Sequence, residues 1–136
     1  MKWILATASI AILVAAASAQ AGSSASIVIR HQMHGCHAWS VNGSSYKPSQ
    51  KLRIAHGTAV TVTNNDVMPH TLIKTSGPAV AIRHARMGHM SATAKVVFTH
   101  AGVYKFKTRA GEDYPGMDGM KTIGEDNILR LTVKVS

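Results

Sequence analysis

The chain has 136 residues, with 15 Lys+Arg, 6 Asp+Glu, 8 His and one Cys. This length suits one domain that buries an ordinary hydrophobic core. A single cysteine excludes an internal disulfide, a CxxC redox pair and any Cys₄ metal site, while the formal net charge of +9 indicates a basic surface.

Residues 1–19 have the pattern of a secretory signal peptide. Lys2 supplies the positive start, an apolar run follows, and Ala17-Ser18-Ala19 forms a small-residue cleavage site. The apolar run is shorter than the roughly 20 residues that a transmembrane helix needs. We therefore expect an exported protein, periplasmic or secreted, divided into a signal peptide (1–19), a disordered leader (20–25) and one domain (26–136).

Short β-branched or alternating segments, separated by turn residues, predict an all-β sandwich without long helices. The predicted strands are 27–29, 52–54, 60–63, 71–73, 94–99, 103–108 and 128–135. Residues 94–99 and 103–108 are expected to pair as a hairpin across Ala101-Gly102. The intervening segments 31–49 and 109–127 are predicted to be mostly loop, and 79–91 to hold at most one helical turn.

Three motifs resemble those of the cupredoxins, the small blue copper proteins. Residues 64–70 read Asn-Asn-Asp-Val-Met-Pro-His, which is similar to the strand end that leads to the first histidine ligand of that family. Residues 48–57 resemble the family's Pro-x-x-hydrophobic-x-hydrophobic-x-x-Gly hairpin, with one extra residue after the proline, and residues 102–106 resemble its Gly-x-Tyr-x-Phe strand. The resemblance covers about 26–136 and implies a Greek-key β-sandwich, a bound copper ion and single-electron transfer.

The chain departs from the family in the loop that usually carries most of the copper ligands. Thr108 stands where the resemblance places the cysteine ligand, and no histidine follows His100. Only Met117 and Met120 can represent the family's weak axial methionine.

The one cysteine, Cys36, lies instead in an N-terminal segment that is rich in histidine. In the cupredoxin sandwich the first and third strands run parallel, so the segment after residue 30 and the segment before His70 reach the same end of the sandwich. Thiolate, imidazole and thioether groups are the ligands that copper prefers. The predicted ligands are Cys36, His70, His37 and one methionine among Met90, Met117 and Met120, with Asn64, Asn65 and Thr108 as supporting hydrogen-bonding residues.

Several alternatives stay open at this point. His37 is ambiguous because neighbours on a strand point to opposite faces, and His31 and His34 are interpreted as surface residues rather than ligands. The main hypothesis is an electron-transfer protein with a mononuclear copper site, and the rivals are a periplasmic copper carrier or buffer and a metal-free interaction domain.

The expected partner is a redox or copper-exchange protein, and the basic surface makes an acidic one an option. We expect no nucleic acid partner, no membrane span and a monomer. No catalytic constellation is visible, so the chain is predicted not to be an enzyme.

Overall fold

A computed structural model describes residues 23–32, 37–110 and 128–136. The predicted signal peptide, Cys36, Met117 and Met120 lie outside the described residues, as does most of the predicted leader.

Within these ranges ten strands form two five-stranded sheets. The strands are β1 (Ser24–His31), β2 (His37–Val41), β3 (Ser49–Ile54), β4 (Ala59–Asn65), β5 (His70–Ser76), β6 (Ile82–Arg83), β7 (Arg86–Met87), β8 (Thr93–Val97), β9 (Gly102–Ala110) and β10 (Ile128–Val135).

The first sheet has the strand order β2-β1-β4-β8-β6, and the second has the order β3-β10-β9-β5-β7. β1 pairs with β4 in parallel, as predicted, so both strands end on the same side of the molecule. The predicted all-β sandwich is therefore confirmed. The described ranges contain no helix long and apolar enough to cross a membrane.

Alternating side chains of the two sheets fill the space between them. Along β10, for example, Leu129, Leu131 and Val133 are buried while Arg130 is exposed, as period-2 strands require. The aromatic part of the core is one cluster, in which the ring of Phe98 lies edge-on to Tyr104 at 4.9 Å and to Phe106 at 5.9 Å. Such edge-to-face pairs add about 0.5–1.5 kcal/mol beyond the buried area.

The predicted hairpin between 94–99 and 103–108 is wrong. β8 belongs to the first sheet and β9 to the second, so the segment between them crosses the sandwich. Phe98 lies on this crossing and is fully buried against the opposite sheet. Burial of this ring between the layers explains why two adjacent strands joined by a glycine turn do not pair.

Three further expectations need correction. Residues 37–41, predicted as loop, form β2, because the buried side chains of Trp39 and Val41 pack into the core. The possible helical turn within 79–91 is replaced by β6 and β7. Ser24 and Ala25, placed in the leader, begin β1, where Ala25 is buried.

Candidate metal centre

The inner faces of five strands change from apolar to polar at one end of the sandwich, which we call the histidine pole. There β1, β4 and β9 end, while β2 and β5 begin. The inward residues at this end are His31, His37, Asn64, Asp66, His70 and Thr108, and all but His31 are buried. Buried polar groups need hydrogen-bond partners, and here they supply them to one another.

Asp66 is the centre of this network. Its Oδ2 lies 2.5 Å from Nδ1 of His37 and 3.0 Å from Nε2 of His70. Its Oδ1 accepts a 3.2 Å hydrogen bond from the backbone N–H of Met68, and its own N–H donates to Oδ1 of Asn64 at 3.0 Å. Because an ionised carboxylate only accepts, both imidazole nitrogens that face it carry protons.

These contacts shift the ionisation of Asp66. Burial by itself raises the pKa of its carboxyl, but hydrogen bonds from His37, His70 and the Met68 N–H outweigh burial and hold the pKa well below the ordinary value of 3.8. The carboxylate therefore stays charged inside the protein at neutral pH. A buried charge is tolerated because it is hydrogen-bonded on both oxygens.

A depressed folded-state pKa makes the network's contribution to stability dependent on pH. The unfolded chain takes up the proton first as pH falls, so the contribution is complete above about pH 5 and then decreases progressively as the pH falls through the unfolded-state value of about 3.9 toward the lower folded-state value. We expect the stability difference between the wild type and Asp66→Asn, measured by urea unfolding, to stay constant from pH 6 to pH 5 and to shrink from pH 5 to pH 3. A difference that stays constant over that range would contradict the depressed pKa.

Asn64 holds the segments around the network in place. Its Nδ2 donates to the carbonyl of Met68 at 2.9 Å and to that of Met87 at 3.1 Å, and its backbone carbonyl accepts from Ser91 at 2.7 Å. The side chain therefore links the end of β4 to the segment before His70 and to the end of β7, while the backbone carbonyl binds the segment after β7.

Both ring nitrogens of His70 are hydrogen-bonded within the protein. Nε2 donates to Asp66, and Nδ1 lies 3.3 Å from Oγ1 of Thr108 on β9. The ring of His70 also lies edge-on to that of His37, with centroids 5.0 Å apart. The structure thus brings together four residues that the sequence selects: His37, His70, Thr108 and Asn64.

His31 completes the exposed side of the histidine pole. It lies directly opposite His37 in the β1–β2 register, and the two rings meet edge-on at 5.7 Å. One potential ligand atom each of His31, His37 and Asp66 lies within 4.8 Å of the others. Such a group of two imidazoles and a carboxylate can hold a transition-metal ion.

The remaining predicted site residues are placed elsewhere. Met90 is 52% exposed and Asn65 is exposed at the end of β4, so neither side chain joins the buried network. Cys36, Met117 and Met120 lie outside the described residues. Asp66 and His31 are not among the predicted ligands, although both belong to the group of potential ligand atoms at the pole.

A pattern in the sequence does point to Asp66. Val60, Val62 and Asn64 alternate along β4 onto the core, and Asp66 continues the same parity one step beyond the strand. A carboxylate on the buried face of a strand requires partners. The two histidines that the same end of the sandwich collects are the partners that fit.

No protein-family model and no curated protein sequence matches this chain. Among solved structures, it is similar to a purple cupredoxin from Nitrosopumilus maritimus, with 21% identity, coverage of 82% of this chain and 98% of the other, and a TM-score of 0.45. A single-residue mutant of amicyanin in its Cu(I) form shows 19% identity, 82% coverage of both chains and a TM-score of 0.44.

A cysteine protease inhibitor of Entamoeba histolytica, EhICP2, is also similar, with 10% identity, coverage of 65% of this chain and 85% of the other, and a TM-score of 0.41. At such scores these similarities assign neither a ligand nor a function to this chain. The two sheets and the parallel pairing of β1 with β4 make the fold itself a cupredoxin-like β-sandwich.

The donor atoms at the histidine pole suit copper, but they differ from the ligand set of a blue-copper site. Imidazole nitrogen and carboxylate oxygen are suitable ligands for Cu(II), and His31, His37 and Asp66 supply them. His70 lies deeper in the network, with its ring nitrogens hydrogen-bonded to Asp66 and Thr108. The three grouped donors therefore point to a nitrogen and oxygen site at the exposed edge beside His31, where an ion would replace hydrogen bonds that Asp66 now accepts.

Proposed function

We propose that this chain is an exported copper-binding protein of cupredoxin-like fold, which takes up and releases one copper ion at the histidine pole. The observation that carries the proposal is the buried Asp66 carboxylate, which is hydrogen-bonded to His37 while a ligand atom of the exposed His31 lies within reach of both. The signal-peptide pattern of residues 1–19 supports export.

Each residue of the pole has its own part in this proposal. His31, His37 and Asp66 would hold the ion, and Cys36, which directly precedes His37 in the chain, is a further candidate ligand. His70 acts as a support, because it is hydrogen-bonded to the same oxygen of Asp66 as His37 and helps to fix that carboxylate. Bound copper would supply a redox-active ion, or a cargo to be passed to another protein.

Copper handling is favoured over fixed electron transfer by the exposure of the site. His31 is exposed while Asp66 and His37 are buried, so the ion would bind at the surface, where a partner can exchange it. The described donors are nitrogen and oxygen atoms, whereas a site for rapid electron transfer combines two histidines with a thiolate. A Cu(II) titration followed by competition with a chelator tests both binding and release.

Replacing His31 should weaken copper binding and leave the stability of the fold almost unchanged. Because it is exposed, His31→Ala should change the free energy of unfolding by less than about 0.5 kcal/mol. It should weaken Cu(II) binding by about tenfold or more, a loss that even supporting groups of metal sites can produce. The measurement is isothermal titration with Cu(II), and His56→Ala, an exposed histidine outside the pole, is the matched control.

Equal losses in the His31→Ala and His56→Ala variants would mean that copper binds histidines over the whole surface. No binding to the wild type at all would favour the metal-free interaction domain, for which the internally satisfied bonds of His70 are the supporting observation.

Electron transfer remains the second candidate because Cys36 adjoins His37 in sequence. If the Cys36 thiolate binds copper, Cu(II) should give an intense visible charge-transfer band, and Cys36→Ser should abolish it. Voltammetry should then show a reversible couple that shifts when Met117 or Met120 is changed to Leu, since thioethers bind Cu(I) better than Cu(II). A colourless Cu(II) complex that is unchanged in Cys36→Ser would leave copper handling as the function.

A further inference from the structure

The outward face of the second sheet carries an array of cations, which we call the basic face. Its members are Lys51 and Arg53 on β3, Arg130 and Lys134 on β10, Lys105, Lys107 and Arg109 on β9, and Arg86 on β7. Seven of these side chains are exposed and Lys107 is partly exposed. The array thus holds eight of the thirteen Lys and Arg residues in the described ranges.

Strand register places these cations side by side. Arg130 lies opposite Lys107 across β10 and β9, and Lys134 lies opposite Arg53 across β10 and β3. Arg109 and Arg86 lie on the two sides of Thr71. Because their strand neighbours point into the core, all these residues share the outer face.

Like charges directly opposite each other destabilise a sheet, and Lys134 and Arg53 form such a pair. In the described ranges Asp66 is the only acidic side chain, and it is buried at the histidine pole. The outward face of the first sheet is much less charged, since it carries Arg30, Arg83 and Lys95. A general need for solubility would not place the cations on one sheet.

The other residues of the basic face narrow the chemistry of the partner. Between the cations stand Thr71, Ile73, Val103, Ile128 and Thr132, with no aromatic side chain on these strands' outer face. Single-stranded nucleic acids need stacking platforms, and membrane interfaces favour Trp and Tyr. A flat protein surface that presents carboxylates requires neither of these features.

The basic face extends to the histidine pole. Thr71, which Arg86 and Arg109 flank, directly follows His70, and His70 itself pairs with Met87 and Ala110. A partner seated on this face would therefore contact the molecule beside the pole.

We propose that the basic face docks an acidic protein surface and positions it next to the histidine pole. The attraction is between the cations and carboxylates of the partner, so it accelerates association and weakens as salt screens it. The inference rests on the strand register and the distribution of charge, and it holds whether or not a metal ion binds at the pole.

The test uses the full mature chain and a 20-residue oligoglutamate peptide as the probe. In a ¹⁵N NMR titration at low ionic strength, the shifts should concentrate on β3, β9 and β10. The double variant Lys105→Glu/Lys134→Glu should bind the peptide about tenfold more weakly or worse. The control double variant Arg83→Glu/Lys95→Glu makes the same change in net charge on the first sheet, and its affinity for the peptide should fall by less than about threefold.

Three results would overturn the proposal. The first is an equal loss of affinity in the two double variants, which would mean that net charge alone attracts the probe. The second is a set of shifts spread over both sheets. The third combines two observations: the protein binds vesicles that contain phosphatidylglycerol, and this binding is lost in the Lys105 and Lys134 double variant, while the peptide causes no localised shifts. That combination would mean that the basic face binds a membrane.

Discussion

Asp66→Ala should lower the free energy of unfolding by about 4 kcal/mol, because it removes the acceptor of three buried hydrogen bonds. Each buried donor left without a partner costs roughly 1–3 kcal/mol. Domains are stable by about 5–15 kcal/mol in total, so the variant should be close to unfolding. The measurement is urea unfolding at pH 7, without added metal.

Two further variants make this result interpretable. Asn65→Ala changes the neighbouring but exposed residue and should alter stability by less than about 0.5 kcal/mol. Asp66→Asn keeps the side-chain volume and one acceptor oxygen, so its free energy of unfolding should lie between those of the alanine variant and the wild type. It should remain folded even if the alanine variant does not. A loss below about 1 kcal/mol in Asp66→Ala would show that the carboxylate is not the centre of the network.

Thr108 and Asp66 together change what His70 can do. The resemblance to cupredoxins places a cysteine ligand at Thr108 and a histidine ligand at His70. In this chain the Thr108 hydroxyl and the Asp66 carboxylate instead hold the two nitrogens of that imidazole. Under the proposed function, the ion would therefore be held by His37 and His31 at the exposed edge of the pole rather than by His70.

The convergence at the histidine pole could be predicted from the sequence because it depends on strand direction. The parallel arrangement of β1 and β4 is enough to bring the segments after Arg30 and before His70 to the same end. The burial of His37 could not be predicted in this way, because all five residues of β2 are buried and alternation does not distinguish its two faces.

The position of Asp66 was harder to predict because it lies beyond the end of β4. Parity along a strand indicates the buried face only while the backbone stays extended, and β4 ends at Asn65. The predicted hairpin was wrong for a related reason. A local alternating pattern cannot show whether the next strand stays in its sheet, and here the burial of Phe98 decides that β9 lies in the other sheet.

Gly77→Ala should lower the free energy of unfolding by about 3 kcal/mol or more, because both the backbone angle and the available space exclude a side chain. Gly77 has a φ of +107°, and an added Cβ would lie 2.6 Å from the carbonyl oxygen of Val103 and 2.8 Å from Cα of Tyr104. A positive φ costs an alanine about 1–2 kcal/mol, and overpacking adds about 1–3 kcal/mol. Gly43→Ala is the matched control, since its φ is +78° but a Cβ there meets nothing within 4 Å. The difference between the two variants in urea unfolding measures the effect of the close contact between the end of β5 and the start of β9. Equal losses of unfolding free energy in the two variants would mean that the backbone angle alone accounts for the effect.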